Sequence, residues 1–178
     1  MTDPRRPVVS DSTPIIYLAK IGRLNLLRCV SEKIHIPEAV FNEAVTQGKE
    51  LSMSDAYIIE KAVGAWITKE RVEPEVDAEF HFLDANTRLG IGEKEALKLC
   101  KQLNAAYFIT DDREARRVSR ILNIKPIGTI GILVQAFRQA SITEEEALQM
   151  LDDLVKAGFR ISSAVYRRVL DELGASPG

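Results

Sequence analysis

A chain of 178 residues, 46% hydrophobic and 28% charged, is long enough for one domain with a sizeable core and too short for two full-sized ones. That composition excludes a disordered chain, and a net charge of −2 with a pI near 5.8 excludes a uniformly basic nucleic-acid-binding body. Cys29 and Cys100 are the only cysteines, too few for a disulfide framework or a thiolate metal site, and no run of about 18 apolar residues occurs. The protein is therefore expected in the cytoplasm, away from membranes, and any contact with nucleic acid must rest on local charge.

In chain order, the apolar stretch "PVVS" predicts a first strand. It ends in "SDSTPII", where Asp11, Ser12 or Thr13 can cap a helix running from Thr13 to Val30 with a break at Gly22. "KIHIP" predicts a second strand, with Pro37 in the first turn of a helix over 37–47. A helix over 54–63 precedes the strand "GAWITK", and the acidic, weakly periodic segment 70–89 predicts a loop with a short helix. The turn "LGIG" opens a helix over 92–103, "AAYFIT" forms the next strand, and a helix over 111–122 follows. The strand "IKPIG" precedes a helix over 129–139. "SITEEEAL" is a capping box for a helix over 143–156 that ends at Gly158, and a last helix spans 162–173.

Strands alternating with helices predict a parallel sheet covered on both faces. The last two helices form a helical hairpin, giving a main domain over 1–140 and a C-terminal extension over 141–178 packed on it, with Leu151, Leu154, Val165, Val169 and Leu173 directed at the core or at a dimer surface.

In open parallel sheets, ligand sites gather at the carboxyl ends of strands. Acids occur there repeatedly. Asp11 on the motif alone reads as a helix cap, yet it ends the first strand of the chain, which is expected to be central and would place its carboxylate in the cleft. Glu93 opens the 92–103 helix in line with Leu97 and Cys100, facing inward or to the rim, while Lys94, Glu95, Lys98 and Lys101 form a solvated face. Asp111 and Asp112 follow "YFIT", and one of the two is expected to cap the next helix. Glu43, in "PEAVFNEAV", reads as a surface residue on spacing alone. Arg113, Arg116, Arg117 and Arg120 have the spacing of one helix face and either pair with surface acids or hold phosphates. Carboxylates gathered together repel one another and raise their own pKa values unless a cation sits among them. A hard ion, Mg²⁺ or Mn²⁺, suits an all-oxygen donor set and can drive hydrolysis at phosphorus without histidine or cysteine.

"VVSDSTPIIYLAKIG", "IPEAVFNEAV", "LGIGEKEAL", "FITDDREARRVS", "PIGTIGIL" and "GFRISSAVYRRVLDELG" together cover nearly the whole chain. In this order they resemble the PIN-domain nucleases, and within them the toxin-like VapC-type proteins of bacteria and archaea. The resemblance implies a three-layer α/β/α fold with a central parallel sheet, and a Mg²⁺- or Mn²⁺-dependent endoribonuclease. It also implies a homodimer, and the toxin of a pair whose antitoxin occupies the cleft. Carried over motif by motif, Asp11, Glu43 and Glu93 match the first three acids and Asp111 or Asp112 the last, with Ser12 and Thr110 as flanking hydroxyl residues. Asp11, Glu93, Asp111 and Asp112 then stand as the metal ligands. Glu93 is one methylene longer than the Asp usual at that position. Two rivals remain: a noncatalytic protein that binds RNA or a partner through its arginines, and a phosphatase of the haloacid dehalogenase type, which lacks its second Asp because Thr13 stands there.

Overall fold

The computed structural model describes residues 6–174. Each of the five apolar stretches becomes a strand: β1 (Val8–Ser10), β2 (Ile34–Pro37), β3 (Ile67–Glu70), β4 (Tyr107–Ile109) and β5 (Lys125–Ile127). All pairings are parallel, in the order β3-β2-β1-β4-β5. β1 therefore lies in the middle. The chain builds outward from it in one direction through β2 and β3, then crosses back to place β4 on its other side, so the sheet reverses its order between β1 and β4. A crevice opens outside the carboxyl ends at such a reversal, because the flanking loops part in opposite directions.

Among the described residues, ten α-helical segments, together with short 3₁₀ and π turns, cover the sheet: α1 (Ser12–Lys20), α2 (Glu38–Phe41), α3 (Gln47–Glu50), α4 (Ser54–Ala62), α5 (Pro74–Glu79), α6 (Ile91–Gln102), α7 (Arg113–Ile121), α8 (Thr129–Arg138), α9 (Glu144–Lys156) and α10 (Ser163–Leu173). Side chains alternate across the strands. Val8 and Ile109 enter one core with α1, α4, α8, α9 and α10, whereas Val9 and Phe108 enter the other with α6 and α7. The result is the expected three-layer α/β/α architecture.

The C-terminal hairpin closes as its sequence predicts. Thr143 and Glu146 form the reciprocal capping box, and Gly158, at φ +93°, makes the left-handed turn after α9. Leu151, Leu154, Val169 and Leu173 join the first core, while Val165 remains 37% exposed.

Local details depart from the sequence expectations. Pro37 ends β2, paired with Glu70, and occupies the N-cap position of α2 instead of its first turn. The helix that follows is interrupted by a π turn, Asn42–Thr46. Residues 70–89, by contrast, hold the expected short helix, α5, with a 3₁₀ turn, His81–Ala85, added. Lys98, expected on a solvated face, is buried, its Nζ donating to Asp77 Oδ1 at 2.6 Å and Asp84 Oδ1 at 3.0 Å. The ammonium is tolerated there because both acids come from the 70–89 segment folded over α6. Glu95 likewise turns inward to accept the Ala39 N–H at 3.0 Å, capping the start of α2.

Candidate active site

Asp11 sits directly after β1 and Thr110 directly after β4, on either side of the sheet reversal. The two strands are locked in register by Ser10 opposite Ile109, and the Asp11 N–H donates to the Ile109 carbonyl at 3.0 Å. Although Asp11 occupies the N-cap position of α1, its side chain makes no capping hydrogen bond. It points inward and is 2% exposed. Thr110 Oγ1 donates a short hydrogen bond to Asp11 Oδ2, while Asp11 Oδ1 is buried with no partner. Burial pushes the Asp11 carboxyl well above the usual carboxylate range; the Thr110 hydrogen bond opposes this, and the negative charges of Asp111, Glu93 and Asp112 push it further up.

Glu43 is not the surface residue its spacing suggested. It lies in the π turn, whose wider winding shifts the side-chain directions of the helix. Its carboxylate accepts the Ser12 hydroxyl at 2.6 Å and the Gly92 N–H at 3.1 Å, joining the starts of α1 and α6. A Cβ at position 92 would stand 2.7 Å from both Glu43 oxygens, so the close approach requires glycine there. Because the obstacle is the end of a flexible side chain, Gly92→Ala is expected to cost roughly 1 kcal/mol or less of stability, read by urea unfolding. Its larger effect falls on the site, where Glu43 would be displaced from Ser12 and the residue 92 amide.

Glu93, half-buried in the first turn of α6, folds back toward the backbone amides of Gly90 and itself. Burial raises its pKa, those amides lower it, and the charges of Asp112 and Glu43 raise it. The two aspartates after β4 divide their roles. Asp112 is the N-cap of α7, accepting the Ala115 N–H at 2.7 Å through Oδ1. Asp111 reaches across to the residues after β5: its oxygens accept the Thr129 N–H at 2.8 Å and the Thr129 hydroxyl at 2.5 Å. Burial raises the Asp111 pKa and these bonds, with Arg116 nearby, hold it down. Thr129 went unnoticed in the sequence, since its partner lies eighteen residues away and no local pattern pairs them.

The four arginines of α7 do not act as one face. Arg117 pairs with Glu114 at 2.7 Å, and Arg120 donates to the Arg116 carbonyl at 3.4 Å on its own helix. Arg116 turns to the sheet and donates to the Thr110 carbonyl at 3.2 Å, and Arg113 is exposed. Only Arg113 and Arg116 line the cleft that also bears Glu93, Asp111 and Asp112.

Carboxylates that follow β1 and β4, or stand on α6 and the π turn, thus surround one sheet reversal, where the charges of Asp111, Glu93 and Asp112 help to raise the Asp11 pKa and those of Asp112 and Glu43 help to raise that of Glu93, with a buried carboxylate oxygen unpartnered at the centre. A family model described as a PIN domain matches residues 7–175 of this chain. The chain belongs to the PIN-domain family. No curated protein matches it. PIN domains are in general metal-dependent nucleases that bind RNA, and membership removes the phosphatase rival.

The donor chemistry of this PIN domain fits a hard divalent cation: every candidate group is a carboxylate, and Asp11 Oδ1 is a buried anion oxygen lacking a counter-charge. The side chains are not drawn together as a finished cage. Among the described residues, no three His, Cys, Asp or Glu groups converge as a set that could hold a metal. Asp112 and Glu93 are turned to their own helix ends, and Glu43 and Asp111 are held by Ser12, Gly92 and Thr129. Ligation would require Asp112 and Glu93 to exchange local backbone contacts for the ion. No helix among the described residues is long and apolar enough to cross a membrane.

Proposed function

We propose that this PIN domain is a Mg²⁺- or Mn²⁺-dependent endoribonuclease, and that it serves as the VapC-type toxin of a toxin–antitoxin pair. The observation that carries the reading is the buried, unpartnered Oδ1 of Asp11 at the sheet reversal, facing other acids. Such an anion is costly to keep without a cation, and its persistence beside Glu93 and Asp112 fits a site completed by metal.

Asp11, Glu93 and Asp112 are the residues that would hold the ion, and Glu43 and Asp111 support them. When bound, a divalent cation supplies Lewis-acid polarisation of the scissile phosphate and lowers the pKa of an attacking water. The chain's own groups do the rest. Thr110 fixes one Asp11 oxygen and leaves the other facing the acids. Glu43, tied to Ser12 and the Gly92 amide, holds the start of α6, and with it Glu93, beside α1. Arg113 and Arg116, on the cleft wall beside the acids, orient an incoming phosphate.

Purified protein incubated with a mixed structured-RNA pool should cut it with Mn²⁺ or Mg²⁺ and leave it intact in EDTA. Absence of cutting with every metal, from folded protein free of antitoxin, would remove the nuclease and leave the noncatalytic RNA- or partner-binding alternative. The toxin role, the antitoxin and a homodimer rest on the resemblance of the sequence motifs to VapC-type proteins. Co-expression with a neighbouring short gene product that silences the cleavage tests the first two, and light scattering tests the third.

A further inference from the structure

The cleft holding the acids extends well beyond them. With a volume of about 1090 Å³, it runs from Glu93, Asp111 and Asp112 past the β5 edge to the turn after α9 and to α10. That far bank belongs to the C-terminal hairpin, whose sequence announced core packing or a dimer surface.

Its chemistry is cationic. Arg113, Lys125, Arg160 and Arg168 all line the cleft and are exposed, and none makes an ion pair among the described residues. Arg138, by contrast, is neutralised by Glu172 at 2.5 Å. Aromatic and apolar surface lies between the cations. Phe159 stands edge-on to Tyr17 with ring centroids 5.1 Å apart, and the Tyr17 hydroxyl donates to the Gly158 carbonyl at 3.2 Å, fixing the turn that carries Arg160 against α1. Lys125 sits 5.3 Å from the Tyr107 ring centroid. Four cations without an ion pair among the described residues, in a chain of net charge −2 and concentrated along one open cleft, are complementary to a polyanion.

We infer that the hairpin bank, through Arg160 and Arg168, together with Lys125 at the β5 edge, is the track on which single-stranded RNA lies as it leads to the acids. This rests on the ribonuclease reading for the identity of the polyanion, but binding is measured without cleavage. The C-terminal hairpin thereby contributes half of the substrate groove in addition to core.

The test is fluorescence anisotropy of a labelled single-stranded RNA oligonucleotide with the full chain in EDTA, at salt from about 50 to about 200 mM. Wild type should bind with a negative log–log salt slope. Arg160→Glu with Arg168→Glu should weaken binding at least roughly tenfold and flatten the slope by about 0.7 for each phosphate no longer neutralised. Arg160→Lys with Arg168→Lys should retain most of the affinity. Lys33→Glu with Lys61→Glu, which changes net charge equally at exposed sites outside the cleft, should leave binding near wild type. Circular dichroism and thermal melting check the fold of each variant. Equal RNA binding by wild type and Arg160→Glu/Arg168→Glu would overturn the inference. So would absence of RNA binding by wild type at low salt, including the case in which only an acidic protein partner occupies the groove. Neither result bears on metal-dependent cleavage, which is scored separately.

Discussion

Asp11→Asn should make the metal-free protein more stable at neutral pH while abolishing its response to divalent cations. The sign follows from the raised pKa. A carboxyl whose folded pKa lies above its unfolded value binds more protons in the native state, so its contribution to stability is greatest at low pH and declines as pH rises through that window. As pH rises above the ordinary carboxylate range the buried Asp11 becomes a liability, because Oδ1 lacks a partner and its neighbours carry like charge. Asparagine keeps an oxygen for the Thr110 hydroxyl and removes the charge, for a gain of about 1–3 kcal/mol. The difference in melting temperature between Asp11→Asn and wild type should widen from about pH 4, the unperturbed carboxyl range, towards neutrality. Mn²⁺ at 100 times its Kd should offset that gain by adding about 2.7 kcal/mol to wild type alone. For a domain of this size that is roughly 5–10 °C. A wild type and variant that melt together across this pH range, with and without Mn²⁺, would contradict the assignment.

The second large effect separates the paired aspartates. Asp112→Asn keeps an oxygen for the Ala115 cap and loses the charge that Glu93 and Asp11 register, so the fold should survive while cleavage falls by about 100-fold or more. Asp111→Ala strips two hydrogen bonds from Thr129 and unties the start of α8 from the end of β4. That change should cost about 2–3 kcal/mol in urea unfolding, since it leaves the buried Thr129 hydroxyl and the Thr129 N–H without their partner. Its effect on Mn²⁺ affinity should be the smaller of the two. Equal weakening of metal binding in both variants would show that Asp111, in spite of Thr129, is also a ligand.

The fold was legible because its signals are local. Five β-rich stretches, a capping box at Thr143 and a glycine turn at Gly158 each act within a few residues, and all formed as their chemistry dictates. The central position of Asp11 was also legible, as the acid ending the first strand of a parallel sheet. Glu43 was not, because a regular helical period aims it outward and the π turn re-aims it. Lys98 was misplaced for a different reason: a lysine becomes buried only when acids arrive to receive it, and Asp77 and Asp84 lie in the segment with the weakest periodicity. The arginines of α7 have the right spacing for a stripe, but spacing does not decide whether a guanidinium meets Glu114, a backbone carbonyl or the cleft. Lys125, Arg160 and Arg168 stand in three separate elements or turns, and only tertiary folding aligns them along one wall.

Whether the buried carboxylate seats a metal is decided by titration calorimetry of Mn²⁺ into wild type and Asp11→Asn, repeated at slightly acidic pH in two buffers of different ionisation enthalpy. The raised carboxyls of Asp11 and Glu93 predict saturable binding to wild type with proton release, seen as a buffer-dependent heat, and neither signal in the variant. Equal heats from both proteins, with no buffer dependence, would mean that Asp11 holds no ion.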